Sequence, residues 1–177
     1  MAEIRPESPS GAHDEAVILA IGGNLAGDYP SLEALLKAAL SELPRVGLRP
    51  LKRSSWWRSA AWPDPSQPDY LNAVTIVETS LAPRAALDAL LGLEARFGRN
   101  RSAPNAPRTL DLDLIAYGRQ VLSEPGLTLP HPRAHERRFV MSPLAEIAPD
   151  WRHPVLGATA AELAQAAPIG RDAQVVG

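Results

Sequence analysis

Two carboxylates standing two residues apart in an apolar run, Asp111 and Asp113 in Arg108-Thr109-Leu110-Asp111-Leu112-Asp113-Leu114-Ile115, are the strongest chemical signal in the chain. Side chains of a strand alternate between faces, so this spacing puts both acids on one face and Leu110, Leu112 and Leu114 on the other. Like charges brought together on a half-buried surface repel and lose solvation, and so require a cation or a proton. Carboxylate oxygens without Cys or His beside them suit a hard ion such as Mg²⁺, which draws its remaining ligands from water and substrate phosphates. The plainer alternative is a solvated pair on an edge strand.

Arginines gather before the acids. Arg99, Arg101 and Arg108 flank a stretch broken by Pro104 and Pro107, and guanidinium groups match phosphate oxygens in bidentate fashion at any pH. A divalent ion beside arginines is what phosphoryl or pyrophosphoryl transfer needs, because catalysis there is mostly positioning and charge neutralisation. A third cluster, Leu129 to Phe139, adds His131, Arg133, Arg137 and Arg138 with an aromatic alongside. The i, i+4 spacing of His131 and His135 is that of some zinc sites, but Pro132 argues against a continuous helix and no third ligand is evident.

The elements that must position these groups follow from patterning. Met1 to Asp14 is polar and aperiodic and reads as a disordered tail, leaving 15–170 as one domain. Ala16 to Ile21 reads as a buried strand and Gly22-Gly23-Asn24 as a turn. Ser31 to Leu43 has an amphipathic helical period with Ser31 able to cap it, Val46 to Trp57 is an irregular strand, and Ser59 to Asp69 is a Pro-rich loop carrying Trp62. Leu71 to Thr79 alternates as a strand, Pro83 to Phe97 is a helix that Gly98 can end, Arg99 to Arg108 is a second loop, and Thr109 to Tyr117 is the acidic strand. Ala158 to Ala166 is a closing helix. The order βαββαβ predicts an α+β, ferredoxin-like antiparallel sheet with helices on one face and long active-site loops.

Composition narrows the partners. The 177 residues carry 18 Lys and Arg against 20 Asp and Glu, a formal charge of -2, which gives no signature for nucleic acid or an anionic membrane. With Cys at 0 there is no disulfide, thiolate site or thiol nucleophile, consistent with a reducing cytosol. The early apolar run is too short for a membrane span and its flank lacks a basic n-region, so a cytoplasmic protein is expected. Pro numbers 18, about twice the usual share of roughly 5%, which favours long ordered loops.

These residues together resemble the bacterial 6-hydroxymethyl-7,8-dihydropterin pyrophosphokinases of folate synthesis. The likeness rests on Pro107-Arg108-Thr109-Leu110-Asp111-Leu112-Asp113, an arginine ahead of Asp-hydrophobic-Asp. Four further segments follow in family order: Ala20-Ile21-Gly22-Gly23-Asn24-Leu25, Gln67 to Val74, Pro130-His131-Pro132-Arg133 and Arg137 to Leu144. The resemblance implies transfer of the pyrophosphoryl group of ATP to the pterin hydroxymethyl oxygen, releasing AMP. It implies that Asp111 and Asp113 hold a pair of Mg²⁺ ions, that Arg99 and Arg108 clamp the phosphates with Arg101 in the same lid, and that His131 and Arg137 contact the nucleotide phosphates. Glu94 stands where the family has an acid near the nucleotide, or is a helix-surface charge. For the pterin, it implies a ring stacked between Tyr70 and Phe139, with Asn72 on its donor and acceptor edge and Ser59 nearby. The expected partners are ATP and the pterin alone, in a monomer.

Departures from the family pattern are few. A lid Trp is replaced by Asn105, with Trp62 in the other loop as a substitute; Pro132 follows His131; and Leu91 stands where some relatives have Gln near the adenine. The competing readings are a pterin- or nucleotide-binding relative without catalysis, and a phosphotransferase acting on another hydroxymethyl heterocycle.

Overall fold

The computed structural model describes residues 13–61, 63–98 and 110–176. In chain order its main elements are β1 (Val17–Gly23), α1 (Leu32–Glu42), β2 (Arg49–Arg53), β3 (Trp57–Ser59), β4 (Tyr70–Glu78), α2 (Pro83–Arg96), β5 (Asp111–Tyr117), β6 (Leu122–Glu124), β7 (Leu127–Leu129), α3 (Arg138–Ile147), α4 (Ala160–Ala166) and β8 (Gln174–Val175). The large sheet runs β5-β1-β4-β3-β8, with β2 also paired to β4, and every pairing is antiparallel. This is the ferredoxin-like α+β architecture expected from the βαββαβ order. Strand β4 is central because its interior is buried on both faces, so its sequence reads as a nearly continuous apolar run.

Alternation assigns the faces. Leu19, Ile21, Leu71, Ala73, Val77, Leu112 and Leu114 point to one side, where Leu35, Leu36 and Ala39 of α1 and Ala86, Leu90 and Leu93 of α2 cover them. Helix α1 begins where Ser31 Oγ accepts the Ala34 N–H at 3.1 Å, and α2 begins on Pro83, whose missing donor costs nothing at that position. These are the two expected helices on one face.

The opposite face is covered only in part. Ile18, Val74, Ile76, Ile115 and Ala116 pack beneath Val140, Met141, Leu144 and Ile147 of α3, with Trp151 and Leu163 of α4 alongside. The sequence reading contains no helix at α3. Thr159 caps α4 in a reciprocal capping box with Glu162. The end of this face beyond the helices carries Gly22, Asn72, Asp111 and Asp113, which the pairing register sets on one side of the sheet.

Other differences from expectation have local causes. Gly22 and Gly23 continue β1 rather than turning, paired with Asn72 and Leu71. The expected single strand over Val46 to Trp57 is two, because Ser54 leaves the ladder: its N–H donates to Val74 O and its Oγ accepts the Val74 N–H. Gly98, at φ +82, stops α2 as foreseen. Among the described residues, no helix is long and apolar enough to cross a membrane.

Candidate active site

Register builds the floor of the site. Asp111 lies opposite Gly22, Gly22 opposite Asn72, and Asn72 opposite Trp57, so one row crosses four strands. The next row sets Asp113 opposite Ala20 and Ala20 opposite Val74. Both acids therefore share a face, as the spacing predicted, and only Gly and Ala separate their column from Asn72. A Cβ on Gly22 would lie 2.6 Å from Asn72 Oδ1 and 3.1 Å from Leu71 O. Gly22 thus keeps the floor flat, and Asn72 Oδ1 reaches over it toward the acids.

The same row carries an edge suited to a flat polar ring. Asn72 is buried, and its Nδ2 donates to Ser59 Oγ at 3.1 Å. Ser59 pairs in turn with Tyr70 across β3 and β4. Asn24 Nδ2 donates to Pro68 O at 3.0 Å, tying the end of β1 to the segment that leads into Tyr70. Phe139, in the first turn of α3, packs its ring on Gly170, where a Cβ would come within 2.5 Å of Phe139 Cδ1. Arg138 N–H to Ile169 O and Ile169 N–H to Glu136 O hold that contact in place.

A bulge positions His131. The β1–β5 register slips between Ile18 and Leu19, leaving Ile115 unpaired in the ladder, and the freed Ile115 carbonyl accepts the His131 N–H at 2.8 Å. The Arg133 N–H donates to His131 Nδ1 at 3.2 Å, so the neutral ring carries its proton on Nε2, 4.0 Å from Asp113 Oδ1. Burial, reinforced by the Arg137 charge and opposed by Asp111, holds this imidazole down at about 4. The contact with Asp113 is therefore between a neutral donor and a carboxylate at neutral pH. A cleft of about 250 Å³ opens here, lined by Asp113, His131, Pro132 and Gly126 to Thr128. Arg137 and Arg138 each keep a buried Nε with no hydrogen-bond partner among the described residues, a donor open to water or to an anion.

The structure thus brings together Asn72 and Asp111 on one row, Ser59 and Tyr70 on the next with Ser59 bonded to Asn72, and Asp113 with His131 near Arg137. Glu94 is not a surface charge: it is buried on the inner side of α2, in the helical layer across the sheet from the two acids. Arg99, Arg101, Arg108, Asn105 and Trp62 lie outside the described residues. The sequence reading missed Gly22 as a site residue. Its signal was present, since Gly inside a strand marks a close backbone approach.

The donor set fits a hard divalent ion. Two carboxylates share a face next to a neutral imidazole, and among the described residues no cluster of three or more His, Cys, Asp or Glu forms. A protein that offers few oxygens leaves positions for water and phosphate, the usual arrangement for Mg²⁺.

Comparison with known proteins places this geometry in context. The profile of the family described as 7,8-dihydro-6-hydroxymethylpterin-pyrophosphokinase matches residues 18–149. The chain is similar to 2-amino-4-hydroxy-6-hydroxymethyldihydropteridine pyrophosphokinase of Synechocystis, 44% identical over 165 residues that cover 92% of this chain and 81% of the relative. The Pseudomonas aeruginosa protein of the same name is 40% identical over 142 residues, 79% of this chain and 85% of its own. In fold it is similar to wild-type HPPK-DHPS of Plasmodium falciparum, with a TM-score of 0.65 at 12% identity; the match covers 85% of this chain and 40% of that longer one.

Proposed function

Because the chain belongs to the 7,8-dihydro-6-hydroxymethylpterin-pyrophosphokinase family, we propose that it carries out that family's reaction on the floor shared by Asp111, Gly22 and Asn72. The reaction is transfer of the pyrophosphoryl group of ATP to the hydroxymethyl oxygen of 6-hydroxymethyl-7,8-dihydropterin, within folate biosynthesis. The observation that carries the assignment of the site is the row Asp111–Gly22–Asn72, which puts a metal-competent acid and a heterocycle-reading amide on either side of one bare glycine.

In this reading the pterin enters edge-on to Asn72 and Ser59, with Tyr70 and Phe139 supplying ring faces. Its hydroxymethyl group then points over Gly22 toward the acids. The hydroxyl oxygen attacks the β-phosphorus of ATP, the bond to the α-phosphate oxygen breaks, AMP leaves with that electron pair, and the hydroxyl proton passes to solvent. No protein nucleophile takes part. Asp111 and Asp113 are the residues that would hold two Mg²⁺ ions, which supply charge neutralisation at the phosphates and acidify the attacking hydroxyl. His131 offers its Nε2–H and Arg137 its guanidinium to phosphate oxygens, and the His131 ring is already oriented by the Arg133 N–H on its Nδ1. Arg99, Arg101 and Arg108, which precede β5 in the sequence, are the phosphate clamps of this reading, whereas Glu94, buried in α2 across the sheet from the acids, takes no direct part. The enzyme works as a cytoplasmic monomer on these two substrates alone.

The test is AMP formation by the purified protein with ATP, Mg²⁺ and the dihydropterin, run with chelator and with the pterin omitted. AMP and pterin pyrophosphate in equal amounts, only in the complete mixture, are expected. Binding of both substrates without turnover would favour the non-catalytic relative, and AMP released at the same rate without pterin would contradict the pterin as the acceptor.

A further inference from the structure

Helix α3 carries two residues seven apart, Phe139 and Glu146, and seven residues is two turns, so both project from the same side. Phe139 is a wall of the proposed pterin slot. Glu146 reaches instead to the chain between β2 and β3. Its carboxylate accepts the Ser55 N–H on both oxygens, at 3.0 and 3.2 Å, the Ser55 hydroxyl on Oε1, and the Trp57 indole N–H on Oε2 at 2.9 Å. Arg53 adds its charge nearby. Ser55 and Trp57 lead directly into Ser59, and Trp57 pairs with Asn72 in the ladder. The carboxylate is therefore a tie between the helix bearing one wall of the slot and the strand bearing its polar edge.

We propose that Glu146 is a positioning residue for the pterin, setting the separation between the Phe139 wall and the Ser59–Asn72 edge. The proposal rests on the assignment of that slot to the pterin. Charge-assisted hydrogen bonds to one carboxylate fix geometry well, yet Glu146 is exposed, so water can satisfy Ser55 and Trp57 when it is removed. Its loss then costs little global stability and is felt in the slot, where a misplacement of about 1 Å reduces rate or binding by roughly 10²-fold.

The experiment compares Glu146→Ala, Glu146→Gln, Trp57→Phe and the Glu146→Ala/Trp57→Phe double variant with wild type, reading KM for each substrate, kcat and melting temperature. Glu146→Ala should raise the pterin KM at least ~10-fold while leaving the ATP KM within about twofold and the melting temperature nearly unchanged. Glu146→Gln, which keeps an acceptor oxygen, should recover part of the loss. Trp57→Phe keeps the ring and removes the donor, so the double variant should be no worse than Glu146→Ala, as coupled partners require. A pterin KM within twofold of wild type in Glu146→Ala, an equal rise in the ATP KM, or effects of the two single variants that multiply would overturn the proposal. A wild-type protein with no pterin-dependent turnover would instead strike the slot assignment itself, before any variant is compared.

Discussion

Replacing Gly22 with Ala tests the floor of the site at the scale of one carbon atom. The new Cβ would sit 2.6 Å from Asn72 Oδ1, where ordinary contact begins at 3.4 Å, so the amide must retreat by about 0.8 Å. It cannot do so freely, because Nδ2 is bonded to Ser59 Oγ and Leu71 O stands only 3.1 Å from the same Cβ. Overpacking of this kind costs about 1 to 3 kcal/mol. For a chain of this size that lowers the melting temperature by roughly 2 to 4 °C per kcal/mol. The functional loss should exceed the stability loss, since the Asn72 edge moves relative to the acids: the pterin KM rises about 10- to 100-fold and the ATP KM stays within about twofold. Steady-state AMP formation with each substrate varied in turn reads both constants. The double variant Gly22→Ala/Asn72→Ala relieves the crowding, so its melting temperature should recover while its pterin KM does not. An unchanged pterin KM in Gly22→Ala, at a lowered melting temperature, would show that Asn72 is not the pterin edge.

Other outcomes follow from the same structure. His153 Nδ1 accepts the N–H groups of Val155 and Leu156, and burial, with the His135 and Arg119 charges, holds its pKa at about 4. The unfolded chain, titrating near 6.5, takes up the proton first. The stability due to this imidazole is therefore complete above pH ~6.5 and is lost as the pH falls toward 4, about 3 kcal/mol in all. His131 adds a loss of the same sign. Urea midpoints that stay level from pH 7 to 4.5 would contradict this. Leu36, fully buried on the inner side of α1, should cost about 2 to 5 kcal/mol on replacement by Ala, read as a fall in the urea midpoint with AMP formation retained under native conditions. Thr159→Ala removes the capping box of α4 and should cost about 1 kcal/mol; a melting curve superimposable on wild type would show that the cap is dispensable.

What the sequence made legible was what side-chain periodicity controls. The alternation around Asp111 and Asp113 put both acids on one face because a strand has no other way to place residues two apart. The period of Leu32 to Leu40 and the Ser31 cap located α1 almost to the residue. Helix α3 is hard to read in the sequence because its start lies inside the basic cluster around Arg133 to Arg138, whose charge suggests a loop, and because Pro143 stands inside it. Its stripe of Val140, Met141, Leu144 and Ile147 nonetheless has helical spacing. Gly22 and Gly23 read as punctuation, since nothing in the local sequence reports that Asn72 approaches from the neighbouring strand. The tie from Glu146 to Ser55 and Trp57, and the pairing of β8 with β3, join residues about 90 and about 117 positions apart. Contacts of that range leave no periodic trace and become visible only when the sheet is assembled.

The most direct measurement is the rate of pterin-dependent AMP formation at saturating ATP and Mg²⁺ in wild type, Asp111→Asn and Asp113→Asn, each with its melting temperature. Asn keeps the shape of the side chain and removes the charge. Each variant should melt within a few degrees of wild type and lose roughly 10³-fold or more in kcat, as expected when charge that stabilises a phosphoryl transition state is removed. Near-wild-type turnover in either folded variant would contradict the claim that these two acids, side by side on the sheet, are where the transfer occurs.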